Sequence, residues 1–204
     1  MTSSRNRKKI KDRDTELIEA INSGRHEHFQ ELVKRYEQKL YNFGLRMCGD
    51  ACDAEDVVQD TFFNVFKYLK DFRYETKFKN WIYRIAASIC IKKRRKSKFA
   101  PERELSLEDF FPEEDAAGPN DIPDWAQLPL DQILNEELSQ RLKKAILSLS
   151  EKYRVIVVLR DIEGFSTAET AQILDLKRSN VKVRLHRARL YLRDQLKGYF
   201  EHGT

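Results

Sequence analysis

Apolar residues recur at helical spacing in two separate parts of the chain, with a polar, proline-bearing stretch between them. From about Asp14, Leu17, Ile18 and Ile21 lead a short helix that Gly24 breaks. Phe29, Leu32, Val33, Tyr36, Leu40 and Phe43 then mark one long amphipathic helix, ended by Gly49 and Asp50. A further helix is expected from Asp53, a plausible N-cap, with Val58, Phe62, Val65, Phe66 and Leu69 facing inward. The next runs from Trp81 to about Lys98 and turns Ile82, Ile85, Ala86 and Ile89 inward. Past the polar stretch, Leu138, Leu142, Ala145, Ile146 and Leu149 give one helix. Tyr153, Ile156, Val157 and Leu159 give another over Glu151 to Asp161, which Gly164 ends. The pattern predicts an all-α chain of two small helical domains without an internal repeat.

The stretch from Gly164 to Leu192 carries the most specific local signals. Ser166 followed by Glu169 reads as a capping box, and the helix it opens runs to about Leu174. Asp175 falls where a tight turn needs a residue tolerant of a left-handed backbone. A second helix starts near Ser179. Its apolar seam is Val181, Leu185, Ala188 and Leu192, and Lys182, Val183, His186 and Arg187 lie on another face. A short helix, a turn and a basic second helix make a helix-turn-helix, whose second helix fits the major groove of DNA.

Charge sharpens the division into domains. Residues 1–99 carry 23 Lys and Arg against 14 Asp and Glu; residues 100–140 carry one against 12; residues 141–204 carry 14 against 7. Pro101, Pro112, Pro119, Pro123 and Pro129 all lie in the acidic middle, which cannot bury a core of its own. The organisation read from this is a basic disordered tail (1–14), a helical domain (15–99), an acidic flexible linker (100–137) and a helix-turn-helix domain (138–204). Attraction between the linker and its basic neighbours is expected at low salt, with the piece from Ile122 to Trp125 as a rigid anchor. The net charge of +5 and the pI near 9.0 point to an acidic partner, of which nucleic acid is the usual one. The polar N-terminus, the lack of a membrane-length apolar run and three cysteines place the chain in a reducing, cytoplasmic compartment with no membrane insertion.

Two further clusters stand out. Glu55, Asp56, Gln59 and Asp60 form an acidic patch in an otherwise basic domain, which composition alone explains as first-turn carboxylates. Phe72, Tyr74, Phe78, Trp81 and Tyr83 interleave with Arg73, Lys77, Lys79 and Arg84, a mixture that can stack unpaired bases while cations hold the backbone. Some of these rings are core, Phe72 and Trp81 first among them. The run from Lys92 to Lys98 suits a phosphate grip. Cys48 and Cys52, with His26 and His28 upstream, make a zinc site conceivable, but the thiols read better as small apolar groups at a helix join. No metal, cofactor or nucleophile–base pair is called for.

These motifs together resemble the extracytoplasmic-function sigma factors, two-domain promoter-specificity subunits of bacterial RNA polymerase. Asp53 to Phe62 resembles the family's polymerase-binding helix. Phe72 to Ala86 resembles the stretch that opens and reads the −10 element. Leu149 to Arg154, Leu159 to Ser166 and Asn180 to Arg189 resemble the −35-binding domain. The resemblance covers roughly residues 25–98 and 138–196. It implies a non-enzymatic initiation factor whose partners are core RNA polymerase, promoter DNA and an anti-sigma factor. It implies polymerase contacts at Glu55, Asp56, Gln59 and Asp60. For the −10 strand it implies Arg73, Tyr74, Lys77, Phe78, Lys79, Asn80, Arg84 and Ser88. For −35 duplex DNA it implies Lys177, Arg178, Ser179, Lys182, Val183, His186 and Arg187. The linker matches the segment threaded through the polymerase's RNA path. Ser88, Thr170, Asp175, Lys177 or Arg178, and Val183 depart from the family's usual residues and bear on base preference. A stand-alone helix-turn-helix regulator would leave the acidic helix and aromatic loop without a role. A single-strand RNA remodeller would leave the helix-turn-helix idle.

Overall fold

A computed structural model describes residues 9–96 and 136–201, and these hold helices and turns with no strand. Residues 100–135 of the proposed linker, its Ile122 to Trp125 piece and residues 1–8 lie outside the described residues, whereas 136 and 137, also assigned to the linker, are helical. The described residues divide into two compact units, one within residues 1–92 and the other formed by residues from 93 on, with 46–49 grouped to it.

The first unit holds α1 (Thr15–Asn22), α2 (Phe29–Cys48), α3 (Ala51–Tyr68) and α4 (Phe78–Lys96). Leu32, Tyr36, Leu40 and Phe43 of α2 are fully buried, as the long apolar stripe predicts. Val57 and Val65 of α3 and Phe78, Ile82, Tyr83 and Ala86 of α4 are fully buried as well. Edge-to-face ring pairs tie α2 to α4: Phe43 with Tyr83 at 5.3 Å and Tyr36 with Phe78 at 5.6 Å. Gly44 permits a close crossing of α2 and α3, since a Cβ there would come within 3.1 Å of the Ala54 Cα.

Three expectations in this unit need correction. The N-cap of α3 is Asp50, whose carboxylate accepts the Asp53 N–H at 2.9 Å; Asp53 already lies in the first turn. The inward face of α3 is Ala54, Val57, Thr61, Phe62, Val65 and Leu69, whereas Phe66 is exposed and Val58 half-buried. The doublets Val57–Val58, Phe62–Phe63 and Val65–Phe66 let the sequence pattern fit two neighbouring phases, and packing chooses one. Residues 9–14, expected in a disordered tail, are instead tied down. Asp14 is buried and accepts from the Tyr36 hydroxyl at 2.6 Å and from Arg35 at 2.9 Å.

Burial first, then the hydrogen bond and charge of Asp14, push the Tyr36 phenol well above its ordinary 10.0. Below that value Tyr36 is protonated whether folded or unfolded. Above it the unfolded chain releases the proton and the folded chain keeps it, so stability falls as pH rises. Urea midpoints should therefore drop between about pH 9 and about pH 11, and Tyr36→Phe should reduce that slope. An equal slope in both proteins would show that Tyr36 is not the titrating group.

The second unit holds α5 (Glu136–Ser148), α6 (Glu151–Val157), α7 (Thr167–Leu174) and α8 (Arg178–Glu201). A wide π-type turn, Val158–Ile162, follows α6. The chain then reverses at Gly164, whose φ of +71 suits glycine. The buried Phe165 closes this corner, its N–H donating to the Leu159 carbonyl at 3.0 Å. At the centre lies Arg154, with 0% exposure. Its guanidinium donates to the carbonyls of Ile146, Leu147 and Leu149 at the end of α5, of which Ile146 also accepts the Leu149 N–H at 3.2 Å.

Candidate nucleic-acid interface

The helix-turn-helix forms as its local signals demand. Glu169 N–H donates to Ser166 Oγ at 3.2 Å, and Ser166 N–H donates to Glu169 Oε2 at 3.0 Å, so the capping box is complete. Asp175 takes the left-handed conformation at φ 54 and ends α7. Val181, Leu185, Ala188 and Leu192 of α8 are all buried, joined by Tyr191 and Leu196. Tyr191 reaches Ser148 at 3.0 Å. With that seam inward, Lys177, Arg178, Ser179, Lys182 and Val183 are exposed and His186 and Arg187 half-buried. All seven predicted duplex readers thus cluster around the N-terminal half of one helix. Arg189, two turns beyond Lys182, is paired with Asp161 through two bonds of 3.0 and 2.6 Å. Thr170, at a position where the family usually has an apolar residue, is fully buried.

In the first unit the aromatic–cationic stretch divides into a support and a surface. Phe78 is fully enclosed, and its ring contacts Tyr36, Phe72 and Trp81. Asn80 is buried too and donates to Thr76 Oγ1 at 3.1 Å. Neither side chain is placed to meet a base: cation-flanked rings look alike in sequence whether they pack or project. Tyr74 differs. It sits in the loop before α4 with φ 58, half-exposed, its ring 4.9 Å from Phe72. A positive φ is costly for a tyrosine and marks a constrained loop. Burial raises its phenol pKa, with the charge of Glu19 adding to the effect.

Arg73, Lys77, Arg84 and Ser88 are exposed, and Lys79 is half-buried with its ammonium 5.8 Å from the Tyr83 ring centroid. Lys77, Trp81, Arg84 and Ser88 follow helical spacing and share a face. Trp81, read as core from sequence, is half-exposed in the middle of that face while resting on Phe72 at 5.2 Å. Of the following basic run, Lys92 is exposed and Lys93 half-buried; the side chains from Arg94 to Lys98 lie outside those described.

Glu55, Asp56, Gln59 and Asp60 are all exposed on α3. Phe63, 67% exposed, lies on the same face a turn further on, and Phe66 is exposed beside the Phe29 ring at 5.2 Å. Sequence reasoning missed this apolar extension because Phe66 was assigned to the inward face and Phe63 to no role. Cys48 is half-buried, Cys52 exposed and Cys90 buried, and among the described residues no three His, Cys, Asp or Glu side chains form a group able to hold a metal. No helix among the described residues is long and apolar enough to cross a membrane.

An acidic helix beside an aromatic loop, with a separate helix-turn-helix following in the chain, defines a two-part transcription-initiation factor. Family comparison agrees on both parts. Sigma-70 region 2 matches residues 32–100, and Sigma-70, region 4 matches residues 139–192. The ECF RNA polymerase sigma factor SigW of Bacillus subtilis is 32% identical over 186 residues, covering 88% of this chain and 95% of SigW. Among solved structures, CnrH in complex with the cytosolic domain of CnrY superposes with a TM-score of 0.64 at 25% identity, covering 92% of this chain and 99% of that one. RpoE of Bartonella quintana, in complex with the anti-sigma factor NepR, gives a TM-score of 0.58 at 25% identity, covering 83% and 96%. The chain belongs to the extracytoplasmic-function sigma factors of RNA polymerase. It binds core polymerase and directs promoter-specific initiation, and it is not itself an enzyme.

Proposed function

We propose that the three surfaces divide the work of initiation. The face of α3 with Glu55, Asp56, Gln59, Asp60 and Phe63 docks on the clamp helices of the polymerase's largest subunits. The N-terminal half of α8 enters the major groove of the −35 duplex, where Lys177, Arg178, Ser179, Lys182, Val183, His186 and Arg187 meet phosphates and base edges. The Tyr74 loop and the α4 face with Arg73, Lys77, Lys79, Trp81, Arg84 and Ser88 hold the separated −10 strand. Phe78 and Asn80 support that surface from beneath. Strand opening is then driven by binding energy recovered on an unpaired base, which stacks only once it has left the duplex.

Residues 15–99 and 138–204 act as the two working domains, with 100–137 as the acidic connection between them. The protein works in the cytoplasm, where its polymerase is. RpoE is found with the anti-sigma factor NepR, and CnrH with the cytosolic domain of CnrY, which supports an anti-sigma factor for this chain too.

The observation that carries the reading is the partition of α8, which buries Val181, Leu185 and Ala188 while exposing Lys177, Arg178, Lys182 and Val183. Lys182→Ala and Arg187→Ala should each weaken −35 duplex binding, by about 1–3 kcal/mol for a bidentate base contact. A phosphate contact would instead weaken all sequences alike and flatten the salt slope. Unchanged binding and unchanged run-off transcription in both variants would remove α8 from the groove.

A further inference from the structure

The segment from Lys9 to Asp14 runs against the loop before α4 and makes specific bonds there. Ile10 N–H donates to the Tyr74 carbonyl at 2.8 Å. Lys9 places its ammonium 5.4 Å from the centroid of the Tyr74 ring. Asp12 Oδ2 accepts the N–H of Phe78, the first residue of α4, at 2.6 Å. Its Oδ1 accepts the Asp14 N–H at 3.0 Å, just ahead of α1. One carboxylate therefore serves the starts of two helices, where exposed N–H groups and helix dipoles favour an anion. Tyr74 lies within the loop and Phe78 directly follows it, so the strap holds the loop in its middle and at its C-terminal end. It also supplies a reason for the left-handed backbone at Tyr74, which costs free energy unless surrounding bonds hold it.

We infer that Asp12 is a positioning residue for promoter opening: with the Ile10 N–H it locks the Phe72–Lys77 loop so that the Tyr74 ring is presented to an unpaired base. This rests on the −10 reading of Tyr74 given above. Asp12 touches no DNA in this scheme; it acts through Tyr74. Loss of Asp12 frees the loop to relax its φ, and the ring no longer waits in the receiving geometry.

The test uses holoenzyme assembled from core polymerase and full-length wild type, Asp12→Ala, Tyr74→Ala and the double variant. Permanganate reactivity of −10 thymines reports opening, and duplex affinity at low temperature reports the closed complex. Asp12→Ala should reduce opening about tenfold, the size expected when one charge-assisted hydrogen bond holding the loop is lost. Closed-complex affinity should stay within about twofold. In the Tyr74→Ala background, removing Asp12 should add nothing, and Asp12→Asn, which keeps an acceptor for Phe78, should restore most of the opening. A loss that multiplies with that of Tyr74→Ala, or normal opening by Asp12→Ala, overturns the inference and leaves the −10 reading standing. Normal opening by Tyr74→Ala overturns both. Should Asp12→Ala fail to fold by circular dichroism, Ile10→Pro carries the same comparison, since it deletes the N–H to Tyr74 and leaves the carboxylate in place.

Discussion

Replacing Arg154 by leucine should destabilise the second unit by about 3–5 kcal/mol, most of what a small domain has to lose. Leucine would keep much of the apolar contact but none of the donors. The carbonyls of Leu147 and Leu149 would lose their donor at the end of α5, and that of Ile146 would keep only the Leu149 N–H. Each buried carbonyl left without a donor costs about 1–3 kcal/mol. Arg154→Lys should recover little, because one ammonium cannot reproduce the spread of a planar guanidinium. Urea unfolding followed by circular dichroism gives the measurement. A midpoint for Arg154→Leu within error of wild type would mean that the carbonyls find other donors. The expected consequence for function is loss of duplex binding through loss of the helix-turn-helix scaffold, without any change on the α8 surface.

The second large effect is expected at the polymerase interface. Asp56→Arg should weaken binding to core polymerase by several kcal/mol, about 2–5, because it places a cation where an anion is complemented by the partner. Asp56 is exposed on α3 beside Glu55, Gln59 and Asp60, so the fold should tolerate the change. Circular dichroism and −35 duplex binding by the free protein should therefore match wild type. Fluorescence anisotropy with core polymerase, across a salt series, separates the electrostatic part, which weakens as salt rises. Native affinity for core polymerase would place the docking surface elsewhere.

The helix-turn-helix was the most legible part of the sequence because its signals are local. A capping box needs only Ser166 and Glu169, a left-handed turn only Asp175, and a buried seam only the spacing from Val181 to Leu192. The features that escaped were set by partners distant in sequence. The phase of α3 depended on which member of each apolar doublet met α2 and α4. Phe78 and Asn80 were buried by rings from α2 and by the loop itself, so their neighbours along the chain gave no sign of it. Residues 9–14 have almost no apolar content, and what holds them is hydrogen bonding to distant groups: Tyr74 and Phe78 in and after the loop, Arg35 and Tyr36 on α2. Arg154 is a charged residue at the centre of a core, which no hydropathy pattern predicts. Trp81 was given a single role, although a ring of its size can rest on Phe72 and still show an edge to solvent.

The pair between Arg189 and Asp161 sorts the cations of α8 by duty. Arg189 is held by a carboxylate already, so it brings no net charge to a DNA backbone and displaces no sodium from it. Under the proposed docking, the ions released when the helix settles on a promoter would be those displaced by Lys177, Arg178, Lys182 and Arg187. The chain thus holds its scaffold and its ligand with the same kind of side chain, and counting arginines along α8 overstates the charge that a promoter meets.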